Sequence, residues 1–236
     1  MNFSPDPDAR FVFAPAAVTR VPVVAADAFY PVRRVYCVGQ NYREHAREMG
    51  ASLRKPPFFF SKPADAVSTA SSLPFPAMTE NLHHEVELVI ALGGGGGGVN
   101  LEPVEALERI FGYAVGVDLT RRDLQAEAKK LGRPWTTSKG FDHSAPLSPI
   151  QPVSVCGHPD NASISLRVNG ELRQQGNTNE MTWSVPEIIA GLSRYFELKA
   201  GDLIFTGTPP GVGALKPDDF VEAAIDTVGS LSFRVG

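Results

Sequence analysis

The chain has 236 residues, of which 43% are hydrophobic and 20% charged, an ordinary balance for a globular protein with a sizeable core. Its formal net charge of −4 gives no electrostatic reason to expect nucleic acid as a partner. No stretch approaches the roughly 20 apolar residues of a membrane span, and the first residues lack the basic start and apolar run of a secretory signal, which favours a cytoplasmic protein.

The first 34 residues are rich in proline, alanine and valine. Proline at this density excludes helix and restricts strands to sheet edges. We therefore predict that residues 1–34 form an extended segment that packs on the main body and carries no chemistry. The main domain is predicted to cover residues 35–236, because no linker divides that range.

The first candidate catalytic residues follow the predicted strand 35–38. Asn41 is a suitable N-cap and Gly50 a suitable stop, so a short helix is predicted between them. In that helix His45 and Glu48 lie three residues apart on one face. A carboxylate beside an imidazole orients the ring and sustains its basicity, as a general base near neutral pH requires. An exposed histidine with an incidental glutamate neighbour would show the same spacing.

Three acidic residues indicate a metal site. A predicted strand beginning at His84 places Glu85 and Glu87 on one face, because side chains two apart on a strand point the same way. A second predicted strand ends at Asp118, and the small Gly116 on the same face leaves room for a ligand or another backbone. Three carboxylates suit a hard cation, Mg²⁺ or Mn²⁺ first and Ca²⁺ next. The same alternation also occurs on solvated strand faces.

A polar helix is predicted directly after the second acidic strand. A capping-box pattern begins it at Thr120, and it runs through Leu131. Arg122 and Gln125 share its polar face, which starts only four residues beyond Asp118. They can therefore reach the carboxylate and carbonyl oxygens of a ligand on the metal, a task suited to the forked donors of arginine. Helix surfaces also carry such residues without any ligand.

Two later stretches add candidate ligand contacts. Lys139 lies between Trp135 and Phe141, so it is either partly desolvated and directed at an anion or extended along the surface towards water. The glycine-rich loop 207–213 exposes backbone donors and the hydroxyl of Thr208. Such a loop either binds a carboxylate or forms a tight turn.

The C-terminal half is predicted to be rich in strands. Ile164, Leu166 and Val168 alternate up to Asn169-Gly170, which is a strong hairpin signal. The return strand leads into the polar run 174–178, which can border a site.

Taken in order, these motifs resemble the fumarylacetoacetate hydrolase family, and the resemblance runs from about Val35 to Val235. The blocks that carry it are Gly39-Gln40-Asn41-Tyr42 with His45 and Glu48, His84-Glu85-Val86-Glu87, Gly116 to Gln125, Ser138 to Asp142, and Gly207 to Gly213. The resemblance implies an α+β, β-rich fold built around a rolled mixed β-sheet with short peripheral helices. It also implies a homodimer.

The resemblance also assigns residues to a site. It implies a divalent ion, Mg²⁺ first with Mn²⁺ or Ca²⁺ as alternatives, on the residues that match Glu85, Glu87 and Asp118. It implies that His45 and Glu48 form a catalytic pair on a lid that orders over the substrate. The other site residues that it implies are Lys139 as a catalytic residue and Tyr42, Arg122, Gln125 and Thr208 as substrate-binding residues.

The resemblance, together with these site residues, implies an enzyme that hydrolyses the carbon–carbon bond of an acylpyruvate, a 2,4-dioxo acid. Fumarylpyruvate, cleaved to fumarate and pyruvate in the catabolism of aromatic compounds, is the first expectation. Decarboxylation of oxaloacetate, or isomerisation and decarboxylation of a dioxo-enoate, would use the same site. A metal-dependent dicarboxylate-binding protein would keep the carboxylates without needing His45 and Glu48, so the presence of that pair favours an enzyme.

Overall fold

The computed structural model describes residues 10–42, 56–93, 95 and 97–236. The strands are β1 Arg20–Pro22, β2 Phe29–Pro31, β3 Arg34–Gly39, β4 Phe58–Lys62, β5 Val67–Ser68, β6 Ser72–Leu73, β7 Leu82–His84, β8 Val86–Leu92, β9 Ile110–Val117, β10 Thr120–Arg121, β11 Ala145–Pro146, β12 Gln151–Pro152, β13 Ser163–Val168, β14 Glu171–Asn177, β15 Asp202–Phe205, β16 Gly213–Leu215, β17 Phe220–Ile225 and β18 Gly229–Val235. The α-helices described are α1 Pro103–Leu107, α2 Arg122–Leu131, α3 Thr136–Lys139, α4 Val153–Cys156 and α5 Val185–Ser193, and 3₁₀ turns cover Ala64–Ala66 and Thr178–Glu180. Strands thus outweigh short helices, which confirms the prediction of a β-rich α+β fold.

A six-stranded mixed sheet forms the centre of the molecule, in the order β12-β9-β8-β15-β3-β4. The β15–β3 pair is parallel, and the other neighbouring pairs in this sheet are antiparallel. Every residue of β8 is buried, as expected for a strand that is covered on both faces. None of the helices described is long and apolar enough to cross a membrane.

A five-stranded sheet, in the order β14-β13-β17-β18-β6, covers one face of the central sheet. The core between the two sheets joins Leu88 and Ile90 of β8 to Ile164 and Phe233 of the second sheet. The predicted hairpin is confirmed, because β13 and β14 pair across Asn169-Gly170, where both residues have positive φ.

The β1–β2 hairpin contributes to a second core on the opposite face of the central sheet. Its residues Val21 and Tyr30 belong to the same buried cluster as Val89 of β8. The Tyr30 hydroxyl shares its one hydrogen between the carbonyl oxygens of Leu92, at 2.6 Å, and Asp202, at 2.9 Å. These bonds hold the N-terminal hairpin to the central sheet.

The chain changes sheets at Glu85, which breaks the continuous strand predicted from His84. Strand β7 pairs with β10 and β16 in a three-stranded sheet, whereas β8 lies in the central sheet. Thr120 is part of β10, where it pairs with His83. The predicted capping box at Thr120 is therefore wrong, and α2 begins at Arg122 instead. The helix ends as predicted, because Gly132 caps it with a φ of 63°.

Gly116 makes room for core side chains, and the expectation that it leaves room for a ligand or another backbone is wrong. A Cβ at Gly116 would lie 2.6 Å from Val89 Cγ2 and 2.6 Å from Phe205 Cε1. Both neighbours are fully buried. Gly116 therefore lets Val89 and Phe205 pack against β9, next to the end of the sheet that carries the acidic residues.

We expect the Gly116→Ala substitution to lower the free energy of unfolding by about 1–3 kcal/mol, the usual cost of overpacking a core. Gly191→Ala is the matched control, because its added Cβ would meet Phe59 at an ordinary 3.6 Å. Alanine at Gly191, inside α5, should leave stability equal or raise it by up to about 1 kcal/mol. Urea unfolding of both variants measures the difference, and equal stabilities would contradict the packing argument.

Candidate active site

The three predicted metal ligands meet at one end of the central sheet. Glu87 on β8 pairs with Gly116 on β9, and the backbone N–H of Asp118 donates to the carbonyl oxygen of Glu85 at 2.8 Å. One carboxylate oxygen from each of Glu85, Glu87 and Asp118 lies within 4.8 Å of the other two, and all three residues are buried. The sheet change at Glu85 thus keeps the three acids together.

Two buried lysines contact this cluster. Lys139, at the end of α3, is 2% exposed and its Nζ lies 2.9 Å from Glu85 Oε2 and 2.5 Å from Asp118 Oδ2. Lys62, at the end of β4, is 3% exposed and its Nζ lies 2.8 Å from Asp118 Oδ1. Lys62 also donates to the carbonyl oxygens of Leu119 and Lys139. It therefore fixes both Asp118 and the backbone that carries the other lysine.

The first turn of α2 adds a third cation to the cluster. Arg122 forms an ion pair with Glu85 and donates from Nη1 to Gln125 Oε1 at 2.6 Å. Its Nε donates to His83 Nδ1 at 3.3 Å. The guanidinium is thus held at the edge of the carboxylate cluster by partners on two elements.

Burial controls the charges at this site. Burial and the charges of Asp118 and Glu85 raise the pKa of Glu87 well above its usual range, although the Gly207 N–H donates to Glu87 Oε2 at 2.7 Å. Burial acts to lower the pKa of Lys139, but Asp118 and Glu85 outweigh it and raise that pKa. Repulsion among the acids is therefore incompletely relieved, most of all at Glu87.

A divalent cation fits this donor set. The three residues offer only oxygen ligands, the choice of a hard ion such as Mg²⁺, Mn²⁺ or Ca²⁺. Each carboxylate oxygen has two lone pairs, so an oxygen that accepts from a lysine can still bind an ion. An ion would also relieve the repulsion that raises the pKa of Glu87.

Two histidines beside the cluster are neutral near pH 7. Burial and then the charge of Arg122 lower the pKa of His83 to about 4. Burial lowers the pKa of His84, whose Nδ1 hydrogen-bonds to Gln174 Oε1 at 2.9 Å. Neither ring therefore adds positive charge to the site.

The loop after β15 forms the opposite wall. Gly207 has a φ of 98°, and a Cβ there would lie 2.7 Å from Asn41 Cβ. The Asn41 side chain donates to the carbonyl oxygens of Thr206 and Trp183 and accepts from the Trp183 N–H. These bonds give Asn41 a role in fixing the wall, beyond the helix N-cap that the sequence predicts.

The structure brings most of the predicted site residues to one cavity. Its walls are formed by Val38, Gly39, Gln40, Phe60, Glu85, Glu87, Asp118, Arg122, Gln125, Lys129, Trp135, Lys139, Gly207 and Thr208. Tyr42 is buried but is not among these residues. His45 and Glu48 lie outside the described residues, as does most of the segment 46–57, whose arginine, glycine, serine and proline content predicts a lid.

Sequence reasoning missed two buried residues at the site. Lys62 ends the aromatic strand β4, and the sequence signal that could have identified it is a lysine at the end of a buried strand, which must find an anionic partner. Gln174 was noted only as part of a polar run. Its partners, Val86 and Thr208, are far from it in the sequence, so no local pattern could reveal them.

Comparisons with a family model, with related sequences and with solved structures each found close matches. The family model described as "Fumarylacetoacetate (FAA) hydrolase C-terminal" matches residues 34–236. The crystal structure of fumarylpyruvate hydrolase from Pseudomonas aeruginosa, in complex with Mn²⁺ and pyruvate, is 50% identical with a TM-score of 0.93, covering 96% of this chain and 99% of that chain. The mitochondrial oxaloacetate tautomerase of Rattus norvegicus is 44% identical over 86% of this chain and 91% of its own. The oxaloacetate tautomerase of Escherichia coli is 43% identical over 87% of this chain and 94% of its own.

We expect the Glu87→Gln substitution to weaken Mn²⁺ binding by more than about 100-fold, because even residues that only support a metal ligand change affinity by about 10- to 100-fold. Binding to the unaltered protein should weaken as the pH falls, because the raised pKa of Glu87 lets protons compete with the ion. Titration calorimetry measures both effects. The exposed Glu80→Gln variant is the control, and equal loss of affinity in it would contradict the assignment.

Proposed function

Because the chain belongs to the fumarylacetoacetate hydrolase family, we propose that it is a metal-dependent hydrolase that cleaves the carbon–carbon bond of an acylpyruvate. Fumarylpyruvate is the proposed substrate, with fumarate and pyruvate as products. The observation that carries the proposal is the buried cluster of Glu85, Glu87 and Asp118, ringed by cations, on a fold that closely matches a fumarylpyruvate hydrolase crystallised with Mn²⁺ and pyruvate.

The charge of the site supports an anionic substrate. Among the described residues, the three carboxylates are in contact with three cations, Lys62, Lys139 and Arg122. A divalent ion would leave the cluster with two positive charges in a buried cavity. A dianionic ligand balances that excess, and fumarylpyruvate has a carboxylate at each end.

We propose Mg²⁺ as the resident ion, held by Glu85, Glu87 and Asp118, because the donor set contains only oxygen. When bound, the ion supplies Lewis-acid polarisation of the substrate's carboxylate and 2-oxo oxygens. The related fumarylpyruvate hydrolase was crystallised with Mn²⁺, which prefers oxygen ligands as Mg²⁺ does, and this supports a divalent ion here. The family resemblance further supports a homodimer.

The chain's own residues would orient the substrate and move protons. Arg122, held by Glu85 and Gln125, is placed to pair with a carboxylate, and Thr208 lines the opposite wall. We assign His45 as the general base, oriented by Glu48, on the basis of their spacing in the sequence. His45 takes a proton from water, and the hydroxide adds to the distal carbonyl carbon. The carbon–carbon bond then breaks, and the pyruvate enolate that leaves takes up the proton that His45 holds, which returns His45 to its neutral form.

Tautomerisation of oxaloacetate is the second candidate function. Two relatives that are 43–44% identical are named oxaloacetate tautomerases. That reaction moves a proton between C3 and the enol oxygen of a dianionic 2-oxo acid, so it needs the same charge balance and no attacking water. Oxaloacetate decarboxylation and dioxo-enoate isomerisation make similar demands, and a dicarboxylate-binding protein would not need His45.

We expect kcat/KM for fumarylpyruvate to exceed the values for acetylpyruvate and oxaloacetate on one preparation with Mg²⁺. Acetylpyruvate lacks the distal carboxylate and should lose binding, whereas oxaloacetate lacks the distal carbonyl that water attacks. Product formation and enol–keto conversion should be followed separately in each assay. A clear preference for oxaloacetate conversion would replace the hydrolase by the tautomerase.

We expect the His45→Ala substitution to lower kcat for acylpyruvate cleavage by roughly 10²- to 10⁴-fold, the usual contribution of a general base. KM should change little, because the metal and Arg122 provide most of the binding. His143→Ala is the control, since His143 is exposed and lies outside the cavity walls. An unchanged kcat in the His45 variant would remove this residue from the mechanism.

A further inference from the structure

Gln174 connects the acidic strand to the opposite wall of the cavity. It lies on β14, is almost fully buried, and makes four hydrogen bonds. Its Oε1 accepts from the Val86 N–H at 3.1 Å and bonds to His84 Nδ1 at 2.9 Å. Its Nε2 donates to Thr208 Oγ1 at 2.8 Å and to the Pro209 carbonyl oxygen at 2.9 Å. These partners flank Glu85 on one side and form the loop wall on the other.

Two partners fix the orientation of the Gln174 amide, because one of them can only donate a hydrogen bond and the other can only accept one. The backbone N–H of Val86 can only donate, so the atom facing it must be the amide oxygen. The carbonyl oxygen of Pro209 can only accept, so the atom facing it must be the amide nitrogen. His84 must then carry its proton on Nδ1, consistent with a neutral ring.

This orientation determines the polarity of the Thr208 hydroxyl. Thr208 Oγ1 accepts one N–H of Gln174, so its own hydrogen must be directed elsewhere. Thr208 is 2% exposed, and no described residue accepts a hydrogen bond from its Oγ1. It lines the cavity beside Gly207, whose N–H already donates to Glu87. The hydroxyl therefore presents a hydrogen-bond donor to whatever occupies the cavity.

We propose that Gln174 is a positioning residue that fixes the Thr208 hydroxyl as a donor, so that the cavity selects a ligand with an acceptor oxygen at that wall. The acceptor is a carboxylate or carbonyl oxygen of the 2-oxo acid, and in this respect the inference rests on the proposed function. Gln174 acts only through Thr208 and does not touch the ligand.

The Gln174→Glu substitution reverses this polarity at nearly constant shape. A carboxylate can still accept from Val86 and His84, but it has no hydrogen to donate to Thr208 or to the Pro209 carbonyl oxygen. The Thr208 hydroxyl must then donate to residue 174, so its lone pairs face the ligand oxygen. Losing a hydrogen bond to a charged ligand and gaining this repulsion should weaken binding of a 2-oxo acid about 10- to 100-fold.

A double-mutant cycle tests whether the two residues act as one unit. Dissociation constants for pyruvate and for oxalate, which cannot react, are measured by calorimetry in the presence of saturating Mn²⁺. The proteins are the unaltered chain, Gln174→Glu, Thr208→Val and the double variant. We expect each single variant to bind both probes about 10- to 100-fold more weakly than the unaltered chain. In the double variant, Gln174→Glu should weaken binding by less than about threefold relative to Thr208→Val alone.

The control is Gln175→Glu, which adds the same charge at the exposed neighbouring position and should bind both probes normally. Mn²⁺ affinity should change less than about threefold in Gln174→Glu. The proposal would be overturned if the two substitutions weaken probe binding independently, so that their effects multiply, or if Gln174→Glu loses Mn²⁺ binding. Gln174 would then be a support for the metal ligands. Should Gln174→Glu fail to fold, Thr208→Ser and Thr208→Val decide: serine should retain binding and valine lose it, and equal binding would overturn the proposal.

These binding measurements stand apart from the reaction assays. If fumarylpyruvate is not cleaved but pyruvate and oxalate bind with the expected pattern, the proposed hydrolase fails and the role of Gln174 holds. If fumarylpyruvate is cleaved and the cycle shows no coupling, the proposed hydrolase holds and the role of Gln174 fails.

Discussion

Three carboxylates share one buried end of the central sheet, and the need to compensate their charges shapes everything around them. Like charges in a low-dielectric setting repel strongly, and each is costly to bury without a partner. Lys62, Lys139 and Arg122 come from three different elements to contact the cluster. One end of each of β4, α3 and α2 is therefore held at the site. A bound ion would compensate the negative charge that remains at Glu87.

The backbone supplies this arrangement through a change of sheet at Glu85. A regular strand would place Glu85 and Glu87 in one sheet, with the cavity on a single face. Here Glu85 lies between the end of β7 in a three-stranded sheet and the start of β8 in the central sheet, and Glu87 is the second residue of β8. The cavity consequently lies where two sheets, the first turn of α2 and the loop after β15 meet. Ligands of α/β and mixed folds often bind at such junctions, because several chain ends converge there.

The sequence predicts those parts of the site that depend on local periodicity. Alternation placed Glu85 and Glu87 together, and the polar face of the helix placed Arg122 and Gln125 beside Asp118. Prediction from local patterns fails where long-range pairing overrides them. At Thr120 the local pattern indicates the start of a helix, but Thr120 lies in β10 and pairs with His83 of β7.

Residue size was a second source of error, because a glycine in the sequence does not reveal what fills the space it leaves. Gly116 accommodates Val89 and Phe205, two core residues, rather than a ligand. Gln174 shows the same limitation for polar groups: its partners come from three distant segments, and only the folded chain brings them together.

The ion pairs of Lys139 also bear on covalent chemistry. A buried lysine beside a 2-oxo acid resembles the arrangement in enzymes that form a Schiff base, where the amine must lose its proton before it attacks the carbonyl carbon. Burial acts to lower the pKa of Lys139, but Asp118 and Glu85 outweigh it and raise that pKa, so in the absence of an ion the nitrogen keeps its proton and has no lone pair to offer. The two acids that contact Lys139 thus also disfavour attack by the chain's own amine on a carbonyl carbon, which would form an imine.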